Sequence, residues 1–150
     1  MNISEFKYLL CDNSRKINDG MNAALNAWGA KYGLSALQLR ILMEIHQKGA
    51  LTVGCLASNV AIAGTNISTM CKKLESLGFL RRTREQSDER VVRIELTESG
   101  WQAIEEIEGF FAEKIQKAMS SDMKQSLEAI IYAMEKLNKM LELFNEQEMK

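Results

Sequence analysis

Between Thr52 and Leu96 the spacing of apolar residues switches abruptly from a helical to a strand period, and few folds accommodate that order in 45 positions. Thr52 can cap a short helix that buries Val53, Leu56, Ala57 and Val60. A second helix is expected from Gly64 to Ser76, with Ile67, Met70, Cys71, Leu74 and Leu77 forming its inward stripe. Only Val60 to Ala63 separate the two, so they must cross sharply, as in a helix-turn-helix. After Gly78, the segments Phe79–Arg84 and Val91–Leu96 read as strands, the second alternating at Val92, Ile94 and Leu96. The wholly polar Glu85–Arg90 between them makes a hairpin with a charged tip.

The flanks read as helices. Ile3, Phe6, Leu10, Ile17, Met21, Leu25 and Trp28 recur at helical spacing up to Gly33. Ser35 and Gln38 match a capping box, and the helix they open carries Leu37, Leu39, Ile41, Leu42, Met43 and Ile45 all round its axis. That helix is expected to be central, with Gly49 closing it. Thr97 caps the next, which runs to about Met119, and Ser120 to Asp122 open the last. The last helix repeats Met123, Leu127, Ile130, Met134, Leu137, Leu141 and Phe144. A stripe that long needs a partner surface, either a second copy of the chain or the other terminal helix of the same chain.

The expected fold is therefore mainly α with a small β-hairpin wing. A single domain of residues 1–150 is expected, with a winged helix-turn-helix lobe at 34–97. Residues 1–33 and 98–150 form the helical dimerisation region. In such a fold the second helix of the turn enters the major groove of DNA, and the wing tip reaches the neighbouring minor groove.

Charge fits that surface only locally. The net charge is −1, from 19 Lys+Arg and 20 Asp+Glu, which by itself argues against nucleic acid. Between Lys72 and Arg93, however, seven basic residues face four acids, whereas from Thr97 onward six face eleven. A basic centre with an acidic tail suits a local DNA-binding face; the plainer alternative is two solvated faces.

Taken in order, Asn66-Ile67-Ser68, Leu74-Glu75-Ser76-Leu77-Gly78-Phe79-Leu80, Asp88-Glu89-Arg90 and Leu96-Thr97-Glu98-Ser99-Gly100 resemble the DNA-binding core of the MarR (multiple antibiotic resistance regulator) family. The resemblance covers residues 51–100 by motif and the flanks by length and pattern. It implies that Thr65, Asn66, Ser68 and Thr69 face bases and that Lys72 and Lys73 face phosphates. Arg90 would enter the minor groove, held by Asp88. Arg81, Arg82, Arg84 and Arg93 would be secondary phosphate candidates, some of them simply solvated. Leu74, Gly78, Leu96 and Thr97 take structural roles. Two positions depart from the pattern: Ala63 stands where relatives have a Ser cap, and Thr69 where a basic residue is common.

The same resemblance implies a homodimer that binds double-stranded DNA at a pseudo-palindromic operator, more simply a repressor than an activator. It also suggests a cleft for a small aromatic or phenolic effector. Trp28, Tyr32, Met43, Trp101 and Phe110 are its candidate lining, unless they are ordinary core residues. Some relatives sense peroxide through a first-helix cysteine, a role for which Cys11 is the candidate here, with Tyr8 and Tyr32 as possible activators. The bland expectation for Cys11 is a passive helix position. Cys55 and Cys71 read as core residues.

Enzymatic chemistry finds no support, with no G-x-S-x-G and no glycine-rich phosphate loop. A single histidine, His46, reads as a structural residue of the central helix, and with no CxxC no zinc site is expected. No cofactor is expected. The opening residues lack a secretory signal's order and three widely spaced cysteines suggest no disulfide framework, so a cytoplasmic location with reduced thiols is expected. The competing reading is a winged helix that binds another protein and never touches DNA.

Overall fold

Several helix boundaries carry a recognisable cap. In the computed structural model, which describes residues 2–60, 64–84 and 91–148, α1 (Ile3–Gly29) opens on a capping box between Asn2 and Glu5. A single 3₁₀ turn (Ala30–Tyr32) then leads to Gly33, whose φ of 66° reverses the chain. α2 (Ala36–Lys48) begins with the Ser35/Gln38 box anticipated from the sequence, and Gly49 ends it at φ 79°. Asn26 of α1 adds to that start by accepting the Ala36 amide at 2.8 Å, so the first two helices are joined through a cap.

A short strand, β1 (Leu51–Thr52), precedes α3 (Val53–Val60), α4 (Gly64–Ser76), β2 (Leu80–Arg84), β3 (Val92–Leu96), α5 (Glu98–Ala118) and α6 (Ser121–Glu148). Thr52 caps α3 by accepting the Cys55 amide at 3.2 Å. The hairpin is a three-stranded sheet rather than a two-stranded one, with antiparallel order β1-β3-β2. Leu51 pairs with Ile94, and Leu80, Arg82 and Arg84 pair with Leu96, Ile94 and Val92. A two-residue strand has no period to read, which is why the sequence did not reveal β1.

The chain gathers into two units, residues 1–109 and 110–150, with the boundary inside α5. In the first, α2 is the hub: Leu39, Ile41, Leu42 and Ile45 are fully buried, as its all-round apolar pattern requires. They pack with Leu56 of α3, Ile67, Cys71 and Leu74 of α4, Leu80 and Ile94 of the sheet, and Ile104 of α5. Each such aliphatic side chain contributes roughly 1.5–3 kcal/mol by leaving water. The inward stripe of α4 stops short of its expected end, because Leu77 is 46% exposed.

In the second unit, α6 starts on Ser120, whose hydroxyl accepts the Met123 amide at 3.3 Å. Its Met123, Leu127, Ile130, Ile131, Met134 and Leu141 are all exposed. Ile3, Phe6, Ile17 and Met21 of α1 are exposed as well, and only Leu25 and Gly29 of that helix are buried. The side chain of Phe144, the last residue of the anticipated stripe, lies outside the described residues.

Candidate nucleic-acid interface

The two faces of α4 are chemically opposite. Ile67, Cys71 and Leu74, spaced by four and three, bury one side completely. The remaining positions give an outward face on which Thr65, Asn66, Thr69, Lys72 and Lys73 are exposed and Ser68 is half-buried. The six residues of this helix that were assigned to DNA thus share one surface. Thr69 donates its hydroxyl back to the Thr65 carbonyl at 3.1 Å, which leaves its oxygen lone pairs as acceptors. Asn66 offers both a donor and an acceptor at the helix start, the pair needed to read an adenine edge. Ala63, the absent serine cap, lies outside the described residues.

The C-terminus of α4 is fixed by a Schellman motif. The Phe79 amide reaches Leu74 O at 3.0 Å and the Gly78 amide reaches Glu75 O at 2.9 Å. Gly78 takes φ 83°, a conformation costly for any residue with a Cβ. Thr97 then ties this corner to α5, donating its hydroxyl to Gly78 O at 2.6 Å and its amide to Phe79 O at 3.1 Å.

The basic residues of the sheet fall into distinct settings. Arg81 is matched across the strands by Glu95 at 2.6 Å. Arg82 is half-buried, its Nε 3.2 Å from Glu75 Oε2 of α4. Arg93 reaches the Ala50 carbonyl at 3.4 Å. Arg84 is exposed at the end of β2. Asp88 and Arg90, the expected wing-tip contacts, lie outside the described residues.

The residues proposed to line an effector cleft have different neighbours. Tyr32 packs edge-on against Phe79, with ring centres 6.1 Å apart, and donates its hydroxyl to Glu106 at 2.6 Å. Trp28 and Met43 lie against the core. Trp101, 43% exposed, meets the His46 ring at 4.6 Å. His46 also approaches Glu108 at 3.4 Å, so it bridges α2 and α5 rather than sitting fully inside. Phe110 belongs to the second unit, with Lys114 over its ring. Of the five, only Met43 borders the open cavity of about 300 Å³ between Met21, Leu25, Arg40 and Val60.

Cys71 is buried, as expected, and burial pushes its thiol up to about 11. Cys55 is exposed, which corrects its assignment to the core: it lies on the outer side of α3, one position before the buried Leu56. Cys11 is exposed too, with Tyr8 exposed on the same helix. Tyr32 follows the far end of α1, and at 1.5 Å per residue that is roughly 27 Å from Cys11 along the helix. Within one chain Tyr32 therefore cannot activate Cys11. Among the described residues no cluster of His, Cys, Asp and Glu fit to hold a metal occurs. No helix among them is long and apolar enough to cross a membrane.

Residues 25–107 match the family model described as transcriptional regulator SarA/Rot. The chain belongs to the SarA/Rot family of transcriptional regulators. Similar curated proteins include SarZ of Staphylococcus haemolyticus, 33% identical over 47% of this chain and 48% of its own length. PecS of Dickeya dadantii is 28% identical over 77% of the chain and 74% of its own. The chain spans about half the length of the first of these curated relatives. Among solved structures, a MarR family protein from Bacillus stearothermophilus has a TM-score of 0.77 at 24% identity, covering 94% of this chain and 98% of that one. Reduced AbfR bound to DNA has a TM-score of 0.75 at 21% identity, over 94% and 95% of the two chains. The MarR-like winged-helix fold read from the motifs thus holds for this SarA/Rot member.

Proposed function

We propose that this SarA/Rot-family chain is a sequence-specific DNA-binding transcription regulator that occupies a pseudo-palindromic operator as a homodimer. The observation that carries this reading is the polar outer face of α4. Short hydrogen-bonding side chains stand at its start and Lys72 and Lys73 further along, on a helix anchored by its buried stripe. Thr65, Asn66, Ser68 and Thr69 read base edges. Lys72, Lys73 and Arg84 contact phosphates, and Arg90, with Asp88 beside it, is the wing-tip contact.

A homodimer is supported by the exposed apolar residues of α1 and α6, since patches of this kind on soluble chains mark interaction surfaces. Repression by occluding a promoter is the simplest action of such a dimer. A small aromatic or phenolic effector acts by binding the DNA-competent and incompetent states unequally. The chain works in the cytoplasm.

The test is a footprint on DNA upstream of the protein's own coding sequence. Two protected major-groove segments centred about 34–36 Å apart support the dimeric regulator. Protection of one segment contradicts the dimer. An absence of protection on that DNA and on duplexes selected from a random pool favours a winged helix that serves a protein partner.

A further inference from the structure

The guanidinium of Arg82 leaves β2 and turns back towards α4 instead of outward. Its Nε lies 3.2 Å from Glu75 Oε2, and its side chain is 30% exposed against 40% for Glu75. Nε and Nη2 are both shut off from solvent and find no hydrogen-bond partner among the described residues. The nearby carboxylate is thus what offsets the removal of those nitrogens from water. Arg81, one position earlier, points to the opposite face of the strand, where Glu95 holds it at 2.6 Å. The Cys71 thiol, on the buried side of α4, also registers the pair: after burial, the charges of Arg82 and Glu75 are what shift it, in opposite directions.

We infer that Arg82 is a positioning residue rather than a phosphate contact: paired with Glu75, it sets the angle between the wing and the recognition helix. The inference rests on the DNA-binding reading. A reader that grips adjacent grooves needs its two parts at a fixed separation, and β2 with α4 forms the corner between them. Backbone hydrogen bonds at Gly78 and Phe79 fix the hinge of that corner. The Glu75–Arg82 pair braces its open side.

A brace and simple charge counting lead to effects of opposite sign. Glu75→Gln removes a negative charge near DNA, and if Arg82 were a phosphate contact this change would free it and tighten binding. A brace predicts weaker binding instead.

The probe is a duplex enriched by the wild-type chain from a random-sequence pool. It is titrated at several salt concentrations with wild type, Glu75→Gln, Arg82→Gln, the double variant and Lys72→Gln, at a temperature where all are folded. Each single change at the pair is expected to weaken binding by roughly fivefold or more, with the double variant no worse than the weaker single, as for directly coupled residues. The salt dependence should stay unchanged for Arg82→Gln, whereas Lys72→Gln should lower its slope by about one. Tighter binding by Glu75→Gln, or a slope lowered by about one in Arg82→Gln, overturns the inference. If wild type enriches no duplex, the DNA-binding reading fails on its own. The brace is then judged by urea unfolding of wild type and the three pair variants: non-additive stabilities support it and additive ones reject it.

Discussion

The hydroxyl of Thr97 donates to the carbonyl oxygen of Gly78 at 2.6 Å while accepting the amide of Gly100 at 3.1 Å. One side chain therefore caps α5 and holds the C-terminal corner of α4. Gly100 belongs to the same joint, because a Cβ there would lie 2.2 Å from the Phe79 carbonyl oxygen. Thr97→Val should cost about 1–2 kcal/mol through loss of the cap. Gly100→Ala should cost on the order of 1–3 kcal/mol or more, since backbone must move to admit the methyl group. Urea unfolding measures both, and a neutral Gly100→Ala would show that the joint is looser than the geometry implies.

The three cysteines should divide by exposure. Cys11 and Cys55 are open to solvent and Cys71 is buried, with its thiol pushed up to about 11. In native protein a thiol reagent should label Cys11 and Cys55 quickly, and Cys71 only after denaturant is added. Because the raised value favours the neutral thiol, Cys71 supports the fold below the ordinary thiol range, and this contribution is lost as pH rises through about 11. Rapid native labelling of Cys71 would mean that α4 opens readily. Cys11→Ser should leave DNA binding insensitive to peroxide, as in wild type; sensitivity that disappears in this variant would make Cys11 a sensor.

Lys31 and Tyr32 converge on one oxygen of Glu106, at 2.5 and 2.6 Å. The Lys31 ammonium first, and the Tyr32 hydroxyl second, hold the Glu106 carboxyl below the usual glutamate range. Glu106 in turn raises both Lys31 and Tyr32. A lowered carboxylate stabilises above its unfolded value, and that support is lost as pH falls through the folded one. The two raised groups stabilise below their unfolded values, and that support is lost as pH rises through their folded ones. The difference in melting temperature between wild type and Glu106→Gln should thus be largest near neutrality and shrink at both extremes. It should be small throughout, because Lys31 and Glu106 are exposed and Tyr32 is only half-buried. A difference constant from acid to alkaline pH would assign Glu106 a packing role instead.

On the recognition helix, Asn66→Ala should cost about 1–3 kcal/mol of binding and relax preference at one base pair. Lys72→Ala should instead weaken all sequences alike. Competition titrations with single-base operator variants separate the two, and an Asn66→Ala protein with unaltered preferences would remove Asn66 from the reading surface.

Ile130 is 48% exposed midway along α6. Ile130→Glu should halve the mass seen by light scattering if this face joins two copies, and an unchanged mass would move the interface elsewhere.

Much of this architecture was legible in the sequence because local signals and burial agree. Ser35 with Gln38, Thr52, Thr97 and Ser120 all cap the helices they mark, and Ile67, Cys71 and Leu74 face inward as their spacing demands. The failures share a cause, since each depends on what lies across a gap in the chain. β1 exists only by pairing with β3. Cys55 fits an apolar pattern, yet it is exposed among the described residues. The approach of Arg82 to Glu75 was not legible either, because only the crossing of β2 beside α4 brings the two together. Charge composition alone does not separate a side chain that binds phosphate from one engaged within the fold.

The most direct test of the central claim is an anisotropy titration of the wild-type chain against its enriched duplex and a scrambled duplex of equal length, each at two salt concentrations. Binding to the enriched duplex should be tighter by about 10³-fold or more and should weaken steeply with salt as phosphate contacts release counterions. Equal, weak binding to both duplexes would contradict a sequence-specific regulator.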